Sequence, residues 1–190
     1  GAVGTFLIAV TRGRMRAEGI IDAILGTATT TAMIFLILLG AAIFNAFLGF
    51  TELPILAADF FKNSGLPPFT ILLAMVVLYI LLGFIMDSLS MILLTVPIFW
   101  PIIAGLDFGL GADDTKLWFG VISLIVVEMG LITPPVGLNV FVINSLARDV
   151  PMLETFKGVI PFLMSDAIRV AFIIGFPILT LALPRLLTLE

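Results

Sequence analysis

The residues best suited to chemistry lie in two short stretches. One is Asp87-Ser88, a carboxylate and a hydroxyl within Gly83-Phe84-Ile85-Met86-Asp87-Ser88-Leu89-Ser90, flanked by apolar arms. An ionisable side chain between membrane-type segments is a functional candidate by default, because something must offset its desolvation. The other is Gly130-Leu131-Ile132-Thr133-Pro134-Pro135-Val136-Gly137-Leu138-Asn139, set between the apolar runs 117–129 and 140–147. Proline removes a backbone donor and clashes with the preceding turn, and the residue before it is pushed out of helical geometry. Two prolines between Gly130 and Gly137 therefore predict an unwound segment in the middle of a membrane helix. Thr133, Asn139 and the carbonyls freed around Pro134 and Pro135 are hard oxygen ligands that suit Na⁺. Amides opening the second half-helix favour a substrate carboxylate. The competing readings are a simple proline kink here and a wet surface turn at Asp87-Ser88. Irregular backbone at membrane depth must be buried in protein or line a cavity, and each stretch supplies part of a polar pocket that neither closes alone.

Three other charged residues fall in apolar surroundings. Glu128, just before the break, is read as a hydrogen-bonding group that orients the loop, with proton or ion binding as the other possibilities. Asp166 and Arg169 are three apart and so share a helix face. A self-neutralising pair is the simpler reading, and a gating or subunit-docking contact the other.

Composition narrows the class. Of 190 residues, 61% are hydrophobic and 12% charged, where a soluble domain carries about a quarter. Mean hydropathy is +1.28. The chain is read as an all-α integral membrane protein in the lipid bilayer. The absence of cysteine and histidine removes disulfides, thiol catalysis, imidazole bases and the usual transition-metal ligands. No acidic pair has a catalytic spacing, so an enzyme is not expected, and no cofactor. Nine basic and thirteen acidic residues are scattered, and nothing points to nucleic acid. Gly1-Ala2-Val3-Gly4 begins inside an apolar run, and the chain is read as part of a longer one.

The elements that must position the two stretches follow from hydropathy. Residues 1–10 read as the tail of a span, followed by Arg12, Arg14 and Arg16. Residues 17–26 read as an interfacial helix and 27–50 as an uncharged span. Residues 51–65 form a second, amphipathic interfacial helix. The arms 69–82 and 91–104 have 14 residues each, roughly 21 Å as helices, against a bilayer core of about 30 Å. A re-entrant hairpin with its polar tip at mid-membrane is favoured over two full spans, because the tip would make an unusually greasy exposed turn. The expected division is therefore residues 1–65 as scaffold and interfacial helices, and 66–158 as half of a transport domain. The latter comprises hairpin 66–106, broken helix 114–148 and interfacial helix 150–158. Residues 159–190 form a carboxy-terminal span interrupted at Pro161 and Pro177. Arg12, Arg14, Arg16, Arg148 and Lys157 then face one side and Lys62, Lys116 and Arg185 the other. The positive-inside rule puts the first group in the cytoplasm.

Gly83-Phe-Ile-Met-Asp87, Leu93-Leu-Thr-Val-Pro97-Ile and above all Gly130-Leu-Ile-Thr-Pro-Pro-Val-Gly-Leu-Asn139-Val-Phe resemble the large membrane (M) subunit of tripartite ATP-independent periplasmic (TRAP) transporters. Pro161-Phe-Leu…Asp166…Arg169…Pro177 and the closing Leu183-Pro-Arg-Leu-Leu are similar to that subunit's end. The resemblance covers essentially the whole chain as the carboxy-terminal half of a longer subunit. It implies an elevator-type repeat with a re-entrant hairpin and a proline-broken helix. Gly83, Asp87, Gly130, Thr133, Val136 and Gly137 match the region of one Na⁺ site, and the other Na⁺ site and much of the substrate pocket would belong to the subunit's first repeat. Ser88, Pro134, Pro135 and Asn139 are the substrate contacts expected from the residues of this chain. The implied partners are the amino-terminal half of the subunit, a small membrane (Q) subunit and a periplasmic substrate-binding (P) protein. The implied setting is a bacterial or archaeal inner membrane, with Na⁺ as coupling ion and a small organic acid (C4-dicarboxylate, sialic acid or similar) as cargo. A sodium/anion symporter working without a binding protein, or a non-transporting membrane subunit, are the rival readings.

Overall fold

The computed structural model describes residues 1–11, 17–146 and 150–188. Expectations resting on Arg12, Arg14, Arg16, Arg148 and Asp149 thus lie outside the described residues. The described chain folds into helices α1 (Ala2–Thr11), α2 (Ala17–Thr51), α3 (Leu53–Asn63), α4 (Pro68–Leu82) and α5 (Ser88–Ala104). These are followed by α6 (Ala112–Ile132), α7 (Leu138–Leu146), α8 (Met152–Gly175) and α9 (Ile178–Thr188). Among the described residues, three helices, over Glu18–Thr51, Ala112–Ile132 and Met152–Gly175, are long and apolar enough to cross a membrane.

Two boundaries differ from expectation. The separate interfacial helix at 17–26 and the span at 27–50 are one continuous helix of 35 residues. No proline separates them, and the threonines at the junction support the helix rather than starting it. Thr27 and Thr29 donate back to the carbonyls of Ala23 (2.7 Å) and Leu25 (2.9 Å), the bond a mid-helix threonine makes. Likewise the interfacial piece expected at 150–158 is, from Met152 on, the first part of α8, which runs through Pro161. The chain breaks instead at Pro177, where Phe176 leaves helical geometry (φ −132°, ψ 77°), as the residue before a proline tends to.

Packing divides the chain into two compact units, Gly1–Ile43 and Phe44–Glu190. The first holds α1 and most of α2. The second holds α3 to α9 and all the candidate site residues. It therefore includes α3, grouped with the scaffold on sequence grounds; Ala57, Ala58 and Phe61 of α3 pack on its core. That core centres on α6, which touches α4, α5, α7, α8 and α9. Trp118, Val126 and Val127 are wholly buried. Around them pack Tyr79 of α4, Met91 and Ile103 of α5, Ile173 of α8 and Leu181 of α9. Trp118 donates its indole N–H to the Ile173 carbonyl at 2.8 Å, so α6 is tied to α8 by a buried bond.

Candidate functional site

The hairpin is built first. α4 and α5, of 15 and 17 residues, are about 22 and 26 Å long at 1.5 Å per residue, short of a full span. A buried polar contact joins the arms: Tyr79 Oη and Thr95 Oγ1 lie 3.0 Å apart, and Thr95 Oγ1 also reaches the Met91 carbonyl at 2.7 Å. Between the arms the turn winds tightly. Gly83 N–H donates to Tyr79 O (2.9 Å), and the amides of Ile85 and Met86 both donate to Leu82 O (2.9 and 3.0 Å). Asp87 then caps α5. Its Oδ1 accepts from Ser90 N–H at 3.0 Å and its Oδ2 from the Ser90 hydroxyl at 2.5 Å. A carboxylate at a helix N-cap satisfies an orphan amide and meets the positive end of the helix dipole. Asp87 is exposed and Ser88 half-buried.

The break opens where the sequence places it. Thr133 leaves the helix (φ −80°, ψ 131°), the Pro134–Pro135 peptide is cis, and Gly137 has φ 53°, a region that favours glycine. Thr133 closes α6 by donating its amide to Gly130 O (3.2 Å) and its hydroxyl to Met129 O (2.6 Å). Gly137 O accepts from Phe141 N–H at 2.9 Å to start α7. Pro134, Pro135, Val136 and Asn139 are exposed, and Gly137 is buried.

The two stretches meet at Gly83 and Gly130. A Cβ on Gly83 would lie 2.6 Å from Gly130 Cα and 2.7 Å from its carbonyl carbon. One on Gly130 would lie 3.0 Å from Gly83 Cα and 3.2 Å from the carbonyls of Tyr79 and Ile80. Only glycine at both positions lets backbone ride on backbone here. On either side of this contact, main-chain oxygens are unused. Among the described residues, the carbonyls of Gly83–Met86 and of Leu131–Val136 accept no backbone hydrogen bond. Unpaired carbonyls are costly inside a membrane unless a ligand or water takes them up. The arrangement thus presents hard, neutral oxygen donors from two elements, and α7 offers its first amides beside them.

Other expected residues lie elsewhere. Glu128 is exposed and makes no ion pair among the described residues, so the loop-orienting bond expected of it is not formed here. Asp166 and Arg169 pair with each other at 2.8 Å on α8. Several positioning residues escaped the sequence reading. Phe156 of α8 backs the break, its ring 2.9 Å from where a Gly137 Cβ would be. Thr155 donates to Asn144 Oδ1 at 2.6 Å, joining α8 to α7. Tyr79 carried a signal, as the single tyrosine of the chain set in an otherwise apolar arm. Phe156 carried none.

The family model for the tripartite ATP-independent periplasmic transporter, DctM component, matches residues 1–179. The chain is 31% identical over 181 residues to the sialic acid TRAP transporter large permease protein SiaM of Vibrio cholerae, covering 95% of this chain and 41% of that protein. It is 32% identical to the C4-dicarboxylate TRAP transporter large permease protein DctM of Pseudomonas aeruginosa, covering 90% and 38%. To the 2,3-diketo-L-gulonate TRAP transporter large permease protein YiaN of Escherichia coli it is 26% identical, over 74% and 32%. The chain thus spans about two fifths of the length of the first two relatives.

Proposed function

Since this multi-pass membrane chain belongs to the DctM component family of tripartite ATP-independent periplasmic transporters, we propose that it forms part of a permease importing a small organic acid with Na⁺. The observation that carries this reading is the backbone crossing of Gly83 on Gly130, with unpaired carbonyls from the hairpin tip and the helix break beside it. Na⁺ prefers neutral and anionic oxygens, and an unwound segment facing a hairpin supplies them without a buried fixed charge. Gly83 and Val136 would act through unpaired main-chain carbonyls, Gly130 and Gly137 through the carbonyl lone pairs that their hydrogen bonds to Thr133 and Phe141 leave over, and Thr133 through its hydroxyl lone pairs. Asp87 would act through the carboxylate lone pairs that capping leaves over. Ser88, Asn139 and the backbone around Pro134-Pro135 would face the substrate. Its carboxylate would meet the first amides of α7, where a helix dipole favours negative charge. The relatives' names support an acidic cargo: sialic acid, a C4-dicarboxylate and a diketo-gulonate.

In this proposal hairpin and broken helix move as one body, in the manner of an elevator, because their contact is glycine on glycine and their cores are shared. The other half of the permease, a small Q subunit and a periplasmic binding protein would complete the machine in a bacterial inner membrane. The test is uptake by the complete complex in proteoliposomes. An inward Na⁺ gradient should drive accumulation of an organic acid presented on its binding protein, and dissipating that gradient should abolish it. Uptake equal in K⁺ and Na⁺ would refute the coupling. Uptake without any binding protein would refute the three-part assembly.

A further inference from the structure

Along α5 from Ile92 to Trp100, and along α6 from Asp113 to Leu124, the surface of the second unit carries two adjoining apolar clefts. One, of about 440 Å³, lies between α5 and α6, walled by Val96, Trp100 and Phe119 with Ser123 at its floor. The other, of about 380 Å³, lies on the neighbouring face of α6 beside Leu117 and Val121. The two share Lys116, Gly120 and Leu124, which at four-residue spacing form a single row down α6. Gly120 is the notch between them, and a Cβ there meets no atom within 4 Å. At the top of the row stand two charges. Lys116 lines both clefts and Asp113 lines the second. Although three residues apart on one face, they form no ion pair with each other, and neither has one among the described residues. The neighbouring Asp114 is engaged by Arg185 of α9 at 2.5 Å.

We infer that this feature binds one diacyl aminophospholipid, its two acyl chains in the two clefts and its ethanolamine phosphate on Lys116 and Asp113. The inference needs only that α6 crosses a membrane, whatever the protein transports. Two apolar grooves meeting beneath one charged site match a ligand with two tails and one head. Lys116, one turn into α6, carries its ammonium outward along its aliphatic stem to the headgroup level, where a phosphodiester accepts a charge-assisted hydrogen bond. Asp113, one turn further out, takes the primary ammonium of the same headgroup. A net-anionic headgroup would meet Asp113 as a like charge, and a choline headgroup has no N–H to donate to it. Trp100, near the end of α5 and half-buried, stands where interfacial tryptophans anchor.

The experiment uses the complete permease in phosphatidylcholine nanodiscs, with brominated phosphatidylethanolamine, phosphatidylglycerol or phosphatidylcholine added stepwise. Quenching assigned to Trp100 is the part lost in Trp100→Phe. Trp118 is wholly buried and contributes no contact quenching. Brominated phosphatidylethanolamine should reach half-maximal quenching at a several-fold lower mole fraction than the other two lipids. Asp113→Asn should transfer that advantage to phosphatidylglycerol, and Lys116→Gln should bring all three lipids to one high mole fraction. Gly120→Leu, which the open notch accommodates, should remove the high-affinity component altogether. Equal mole fractions for the three lipids in the unaltered permease would overturn the inference, as would quenching unmoved by Lys116→Gln. Absence of Trp100 quenching by every lipid would also overturn it, showing that protein covers the clefts.

Discussion

Single residues decide whether hairpin and break can touch. Gly130 stands out in the sequence as a flank of the proline break and Gly83 by its place in a family motif, but what requires glycine at both is a backbone crossing in which a Cβ at position 83 falls 2.6 Å from Gly130 Cα. Backbone cannot yield as a flexible side chain does, so Gly83→Ala must push the tip off the break. Overpacking of this kind costs about 1–3 kcal/mol. We expect a lower Tm for the complete permease and loss of Na⁺-driven uptake, measured on the same preparation. Asp87 poses a different question, because its carboxylate already caps α5 through Ser90. Asn is as good an N-cap as Asp, whereas Ala forfeits about 1 kcal/mol. If capping is its whole role, Asp87→Asn should transport normally. If the carboxylate also holds Na⁺, as proposed, Asp87→Asn should keep the Tm while raising the Na⁺ concentration for half-maximal uptake severalfold.

At the scale of elements, polar bonds buried in apolar packing hold the site together. Tyr79 and Thr95 bridge the two arms of the hairpin, and Trp118 fixes α6 to α8. Tyr79→Phe keeps the ring against Phe99, edge-on at 5.1 Å, and leaves Thr95 bonded to Met91 O. The loss should therefore be that of one net hydrogen bond, about 1 kcal/mol, read as a small fall in Tm. Amide exchange should show that loss concentrated in α4 and α5, since the arms are what the bond joins. The helices also show where pattern reading fails. The change from charged to uncharged residues near Gly26 looks like an interfacial helix ending and a span beginning. It is one helix, because glycine and threonine weaken a helix without breaking it. Pro161 and Pro177 look alike in sequence, yet only Pro177 ends its helix. α8 passes through Pro161 among exposed residues, where a missing intrahelical bond disturbs no packed neighbour.

At the scale of the molecule, the question is how deep the hairpin tip lies. Arg185 pairs with Asp114, so α9 and the start of α6 share one end of the unit. This agrees with the same-side placement of Lys116 and Arg185 by charge counting. Ile85, at the tip and 80% exposed, offers a direct probe. In the complete permease, Ile85→Cys should react with small water-soluble thiol reagents and resist bulky ones if the hairpin re-enters at mid-depth. Na⁺ with bound substrate should slow that reaction. Rapid labelling by bulky, membrane-impermeant reagents would instead place the tip in bulk water and favour two complete spans.

The sequence by itself determined the class, the breaks and the chemistry on offer. Hydropathy made a helical membrane protein, Pro134-Pro135 between glycines made an unwound segment, and missing histidine and cysteine left oxygen ligands. Each of these is a local property, set by backbone sterics and desolvation within a few residues. Only the tertiary structure decided which local features meet. That Gly83 lies on Gly130, that Phe156 backs Gly137, and that Trp118 reaches Ile173 depend on how helices pack across 19 to 55 residues of chain. Apolar periodicity does not specify such pairings, because any apolar face can pack against any other. Shape complementarity of particular side chains, and the absence of two of them at the glycines, selects one.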